Sequence, residues 1–150
     1  AVANEGEVPS VHNDALPASF HADGRESAER AVKAGQVIQR DFGTMGEKWK
    51  TEYGLPAAVG LGVHLGEAVF GMAGPPDKQQ FVALGDCVSI AVRLVHPART
   101  GEIVISLDVM KALGAVVQTL GASELPPLEL SNRDPLPIYG MVLETRLDFT

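Results

Sequence analysis

The chain has 150 residues, of which 19 are acidic and 12 basic, giving a formal charge of −7, and it carries one cysteine. At that length folding buries about two-thirds of the unfolded surface, so one compact core is within reach without disulfides or metals. The scattered basic residues exclude a nucleic-acid footprint, the lone Cys87 excludes an internal disulfide, and no apolar run approaches the roughly 20 residues of a membrane span. A reducing, cytoplasmic setting is therefore expected, with no nucleic-acid partner and no membrane segment within this chain. The opening AVANEGEVPS lacks the basic and apolar regions of a signal peptide.

Along the chain, Val8 to Phe20 mixes apolar residues with Asn13-Asp14 and with Pro9 and Pro17, which each remove a ladder hydrogen bond, so an irregular or edge hairpin is expected. Asp23-Gly24 opens into the clearest amphipathic helix, with Ala31, Gly35, Ile38, Phe42, Met45 and Trp49 recurring at steps of four and three. Its start falls at Asp23 or Ser27, and Gly54 with Pro56 ends it. From Ala57 the period changes to alternation around Val59, Leu61 and Val63, then Val69 and Phe70. Leu65-Gly66-Glu67 stands between, which reads as two antiparallel strands joined by a turn.

AGPPDKQQ is a second turn or a protruding loop, and QQFVALG a third strand. Gly85-Asp86, read as a tight turn and helix cap with Asp86 complementing the helix N-terminus, begins a helix running to about His96, with Val88, Ala91, Val92 and Val95 on one side, and Pro97 stops it. EIVIS is a short buried strand, LDVMKALG a helix closed by Gly114, and VVQTL, LPPLEL and PIYGMVLE three further strands between proline-rich turns. Helices alternating with mainly antiparallel strands indicate an α+β fold in which helices cover one sheet.

The stretch GVHLGEAVFGMAGPPDKQQFVALGDCVSIAVRL carries the pattern G-x-H-x-G-x-x-x-x-G-x-x-G, a loop, an aromatic-led strand, and G-D-x-V-x-x-A-x-R. The residues in register are Gly62, His64, Gly66, Gly71, Gly74, Phe81, Gly85, Asp86, Val88, Ala91 and Arg93, followed by GEIVIS. This resembles the catalytic domain of class III nucleotidyl cyclases, which convert ATP or GTP into a cyclic nucleotide. GEVPSVHNDALPASF lies without gaps on that family's hairpin, and DGRESAERAVKAG on its next helix. The resemblance implies a ferredoxin-like architecture and one domain over residues 1–150, lacking the family's first strand and part of its first helix.

It also implies chemistry. Cyclisation is an in-line attack of the ribose 3′-hydroxyl on the α-phosphorus, so the site must neutralise charge as pyrophosphate leaves. The family does this with two ions, Mg2+ or Mn2+, held by two aspartates. Asp14 matches the hairpin aspartate, with a plain Asn13-Asp14 turn as the alternative, and the other is expected ahead of Ala1. Arg93 matches the arginine that stabilises the transferring phosphoryl group, or is a solvent-exposed helix charge. Ser89 replaces the ribose-orienting asparagine with a shorter side chain of one donor. Ser10 and Val82 fall where the purine is read, and valine offers a base no hydrogen bond. Arg133, in LSNRDPLPIYG, matches a basic residue aimed at the triphosphate, or is a turn residue in solvent. His64 reads as a packed core residue. Cys87, at a helix start, is either small and buried or has a lowered pKa. The resemblance implies a homodimer, or a heterodimer with another cyclase domain, taking ATP or GTP, with ATP to cAMP and pyrophosphate as the default reaction. The replaced residues imply weak or lost turnover here. The alternative is a pseudocyclase that serves as a regulatory or dimerisation module.

Overall fold

A computed structural model describes residues 6–7 and 15–142. Ser10 and Asp14 lie outside the described residues. Strands β1 (Gly6–Glu7) and β2 (Ser19–Phe20) pair antiparallel as a short ribbon.

Helix α1 (Gly24–Tyr53) starts at Asp23, whose carboxylate accepts the Glu26 amide at 3.1 Å. This satisfies one of the orphan donors of the first turn, and Glu26 adds negative charge beside the positive end of the helix dipole. Gly54 closes the helix in the left-handed region at φ 66°, donating its amide to the Lys50 carbonyl at 3.0 Å. The inward stripe differs from the expected one. Ala28, Val32, Gly35, Gln39 and Gly46 are buried, whereas Ala31, Ile38, Phe42 and Met45 flank them half-buried and Trp49 is exposed against Tyr53. Residue size explains the rotation. A Cβ on Gly35 would stand 3.2 Å from Ile103 Cδ1 of the sheet, and one on Gly46 2.6 Å from the carbonyl oxygen of Ala57 in the segment that follows the helix, so the small residues face inward where the helix lies closest to its neighbours.

The main sheet has the order β3 (Leu61–Val63), β6 (Glu102–Ser106), β8 (Leu136–Val142), β7 (Ser123–Leu128). Strands β3 and β6 run parallel, with Leu61 opposite Ile103, and the other pairs are antiparallel. On the edge strand β7 the register shifts between Leu125 and Leu128, where Pro126 and Pro127 have no amide to give. The antiparallel pairing expected between β3 and the next strand is not found. Strand β4 (Val69–Ala73) instead forms its own hairpin with β5 (Gln80–Leu84), placing Val69 opposite Leu84 and Gly71 opposite Val82. Alternation identifies a strand, not its partner, and β3 finds its partner some 40 residues on, in a parallel strand reached by a crossover.

Strand β6 divides the core. Ile103 and Ile105 point to one face, packing with Ala28 and Val32 of α1, Val109 and Leu113 of α3 (Leu107–Leu113), and Met141 of β8. Val104 points to the other, packing with Ile138 and with Ile90 and Leu94 of α2 (Asp86–Leu94). The buried side of α2 is thus Ile90 and Leu94, and the expected stripe is one step out, since Val92 and Val95 are exposed. The segment read as a strand over VVQTL is a 3-10 helix, Gly114–Thr119, from which Val117 packs on the α1 and α3 side. An α+β fold with a mainly antiparallel, helix-covered sheet results.

Candidate functional site

Helix α2 is laid directly on the sheet. An added Cβ at Gly62 of β3 would stand 2.8 Å from both the Ala91 carbonyl oxygen and Leu94 Cβ, so only glycine lets this helix approach so near. Gly85, at φ 143° and ψ 165°, turns the chain from β5 into α2 through a conformation that side-chain-bearing residues rarely adopt. Gly85 takes the N-cap position with no side-chain cap bond. The capping role expected of Asp86 is therefore limited to its charge in the first turn, because its carboxylate is engaged elsewhere.

That engagement defines the site. Asp86, Ser89, Ile90 and Arg93 occupy one side of α2, and opposite them Leu130, Ser131 and Arg133 come from the β7–β8 connection, enclosing an open cavity of about 150 Å3. Two contacts hold the connection to the helix. Arg93 donates from Nη2 to the Glu129 carbonyl at 2.6 Å, and Arg133 forms an ion pair with Asp86. Three candidate residues, Ser89, Arg93 and Arg133, thus meet at one groove, although 44 residues separate the first from the last. Two guanidiniums beside a serine hydroxyl form a set of donors with no acceptor of their own apart from that hydroxyl, the inventory that oxygens of a phosphate group satisfy.

Val82 does not join them. It lies half-buried on β5, on the same hairpin face as Val69 and Leu84, which are 71% and 63% exposed. With Gly71 bare opposite Val82, this face is apolar and open. On the other face, the His21 ring lies tilted against Phe70, with centroids 4.3 Å apart, and Phe70 stacks on Phe81 at 6.0 Å, joining β2 to the hairpin.

Under the start of α2 sits a second polar cluster. The His64 ring, its side chain 7% exposed, contacts Ser106 Oγ through Nδ1 at 2.8 Å, with Asp108 Oδ2 4.0 Å away. Burial pushes its pKa below the ordinary value and Asp108 only partly opposes this, so the ring is a neutral, packed residue. Cys87 packs close by: a Cβ on Gly66 would meet its side chain at 3.1 Å. Burial raises the thiol pKa, and the Asp108 carboxylate raises it further, which overturns the activated alternative. Among the described residues no group of three His, Cys, Asp or Glu side chains is arranged to hold a metal. The one carboxylate at the groove, Asp86, is committed to Arg133. Asp14, the residue expected to hold Mg2+ or Mn2+, is not among the described residues. Nor is any helix among them long and apolar enough to cross a membrane.

The sequence signal missed two members of this site. The Asp86 carboxylate already has a local explanation at the helix start, and the Glu129 carbonyl that receives Arg93 has no side-chain signature at all.

No protein-family model matches the chain. Over 95 residues, 61% of the chain, it is 28% identical to adenylate cyclase 1 of Rhizobium meliloti (strain 1021), and it spans 14% of that protein's length. Its structure superposes on the adenylyl cyclase CyaB from P. aeruginosa with a TM-score of 0.82, at 18% identity, covering 99% of this chain and 77% of the other. For the guanylyl cyclase Cya2 the TM-score is 0.79, at 24% identity, covering 96% and 74%. The guanylate cyclase domain of RhGC from Catenaria anguillulae, solved in complex with GTP, gives 0.74, at 19% identity, covering 94% and 74%. The fold is that of a class III nucleotidyl cyclase catalytic domain.

Proposed function

We propose that this chain, folded as class III cyclase catalytic domains are, is a cyclase homology domain whose groove over α2 receives the phosphate groups of a purine nucleoside triphosphate. The carrying observation is the convergence of Ser89, Arg93 and Arg133 on one cavity. In the default reaction ATP becomes cAMP and pyrophosphate. The ribose 3′-oxygen bonds to the α-phosphorus, the bond from that phosphorus to the oxygen bridging the β-phosphate breaks, and the hydroxyl proton is released. Arg93 and Arg133 would neutralise the charge that builds on the phosphate oxygens, and Ser89 would hold the ribose with one hydrogen bond. Asp14 is the residue of this chain that would hold magnesium or manganese.

Turnover is proposed to be weak. A serine positions a ribose less firmly than the asparagine of the resembled pattern, and Val82 contributes no hydrogen bond to a base. One observation favours the second reading, a pseudocyclase acting as a regulatory or dimerisation module. Val82 sits in the open apolar strip with Val69 and Leu84, a surface suited to another protein chain rather than to a purine edge. In either reading the chain pairs with itself or with another cyclase domain across such a surface.

Incubation of the purified chain with ATP or GTP and manganese, following cyclic product, tests the proposal. Slow product formation lost in Arg93→Ala supports the enzyme reading. A folded dimer with no product supports the second. Product formation unchanged in Arg93→Ala contradicts the assignment of the groove.

A further inference from the structure

Both cations of the groove are already engaged by the chain itself, and in opposite directions. From the last turn of α2, Arg93 reaches up to the Glu129 carbonyl. From the β7–β8 connection, Arg133 reaches down to Asp86 in the first turn of the same helix. Positions 86 and 93 are seven residues, two helical turns, apart and therefore share one face about 10 Å long. The connection lies along that face, clipped at both ends with the cavity between the clips.

The two clips are unequal. A backbone carbonyl offers Arg93 a neutral acceptor, but Asp86 offers Arg133 a full negative charge where a phosphate oxygen would otherwise bind. We infer that Asp86 is an internal competitor for phosphate: its carboxylate occupies Arg133 in the empty domain, and an incoming polyphosphate must displace it. This rests on the phosphate-groove reading and assigns to that site a built-in threshold for anions. The pair is solvent-exposed, with 51% of the Arg133 side chain and 71% of that of Asp86 accessible, so it is weak enough to be exchanged for a ligand carrying several charges. Asp86 acts here as an affinity-setting residue rather than a catalytic one. Its removal frees Arg133 and also takes away a negative charge that repels the ligand.

Isothermal titration of the chain with inorganic pyrophosphate, without divalent metal or nucleotide, tests this independently of turnover. Asp86→Asn is expected to tighten binding about two- to tenfold, the range of an exposed ion pair together with one removed like charge. The same change made in Arg133→Ala is expected to give less than half of that gain in logarithmic terms, because there is no pair left to break. Thermal unfolding verifies that the variants fold, and Asp86→Ser provides the same test should Asp86→Asn fail to. Unchanged or weaker binding in Asp86→Asn overturns the inference, as does a gain undiminished by Arg133→Ala. If neither the natural chain nor Asp86→Asn binds pyrophosphate, the phosphate-groove reading itself falls, and the inference with it.

Discussion

Replacing Gly62 by alanine inserts one methyl group between a strand and a helix that have no room for it. The new Cβ would lie 2.8 Å from the Ala91 carbonyl oxygen, 2.8 Å from Leu94 Cβ and 3.0 Å from the Leu94 carbonyl carbon. Two of these are backbone atoms of α2, so no side chain can rotate aside and the helix itself must lift from β3. Over-packing of this kind costs about 1–3 kcal/mol, and the backbone clash places Gly62→Ala in the upper half, at about 2–3 kcal/mol. For a domain of this size that corresponds to a fall in Tm of about 4–12 °C, read by circular dichroism. Gly71→Ala is the control, because a Cβ there meets nothing within 4 Å and the residue lies in a strand of the same region. A Tm for Gly62→Ala within 1 °C of that of Gly71→Ala would refute the close approach of α2 to the sheet. Since α2 carries Ser89 and Arg93, the same variant is expected to weaken pyrophosphate binding, and Gly71→Ala is not.

Three further outcomes are expected. Ser89→Asn, which supplies a longer side chain with two donors, should raise cyclic-product formation by about tenfold or more, and an unchanged rate would disconnect Ser89 from the ribose. Burial disfavours the charged form of His64, so its folded-state pKa lies below its ordinary 6.5. Between those two values the unfolded chain takes up a proton that the folded chain refuses, and stability is lost as pH falls through that window, at about 1.4 kcal/mol per unit of pKa difference. Urea unfolding of the natural chain and His64→Gln should therefore diverge as the pH drops below about 6.5, and parallel curves would contradict the buried neutral ring. Finally, the Gln39 side chain is buried with neither amide atom hydrogen-bonded. Gln39→Met should stabilise the domain by about 1–2 kcal/mol in chemical denaturation, whereas a loss of stability would reveal a partner for the amide.

Much of the fold was legible because local rules agree with it. Asp23 and Gly54 bracket α1 as their capping chemistry dictates, and the unbroken apolar run within EIVIS, buried throughout, announces a central strand. What was not legible depended on distance and shape. Which face of α1 turns inward is decided by Gly35 meeting the sheet and Gly46 meeting Ala57 in the connection to β3, so a count of apolar residues pointed elsewhere. On α2 the branched residues Val92 and Val95 looked like core, whereas Ile90 and Leu94 fill it, leaving the valines outside. The partner of β3 was invisible to any local window, because it is a parallel strand reached after a hairpin and a helix.

The site shows the same division. The residue types of Ser89, Arg93 and Arg133 were readable from spacing and resemblance, and the cavity joins them. The Asp86 to Arg133 pair was not, since a charge in a first helical turn already has a sufficient local explanation. Val82 lies on the apolar face of the β4–β5 hairpin and does not line the groove.

The groove itself is tested most directly by observing its two arginines while nucleotide is added. With the arginine side chains labelled with nitrogen-15, the Nε–H resonances of Arg93 and Arg133 are predicted to shift together along one saturable curve as ATP is titrated. Shifts confined to Arg25 and Arg40, exposed on α1, or no shift at either groove arginine, would contradict a phosphate site over α2.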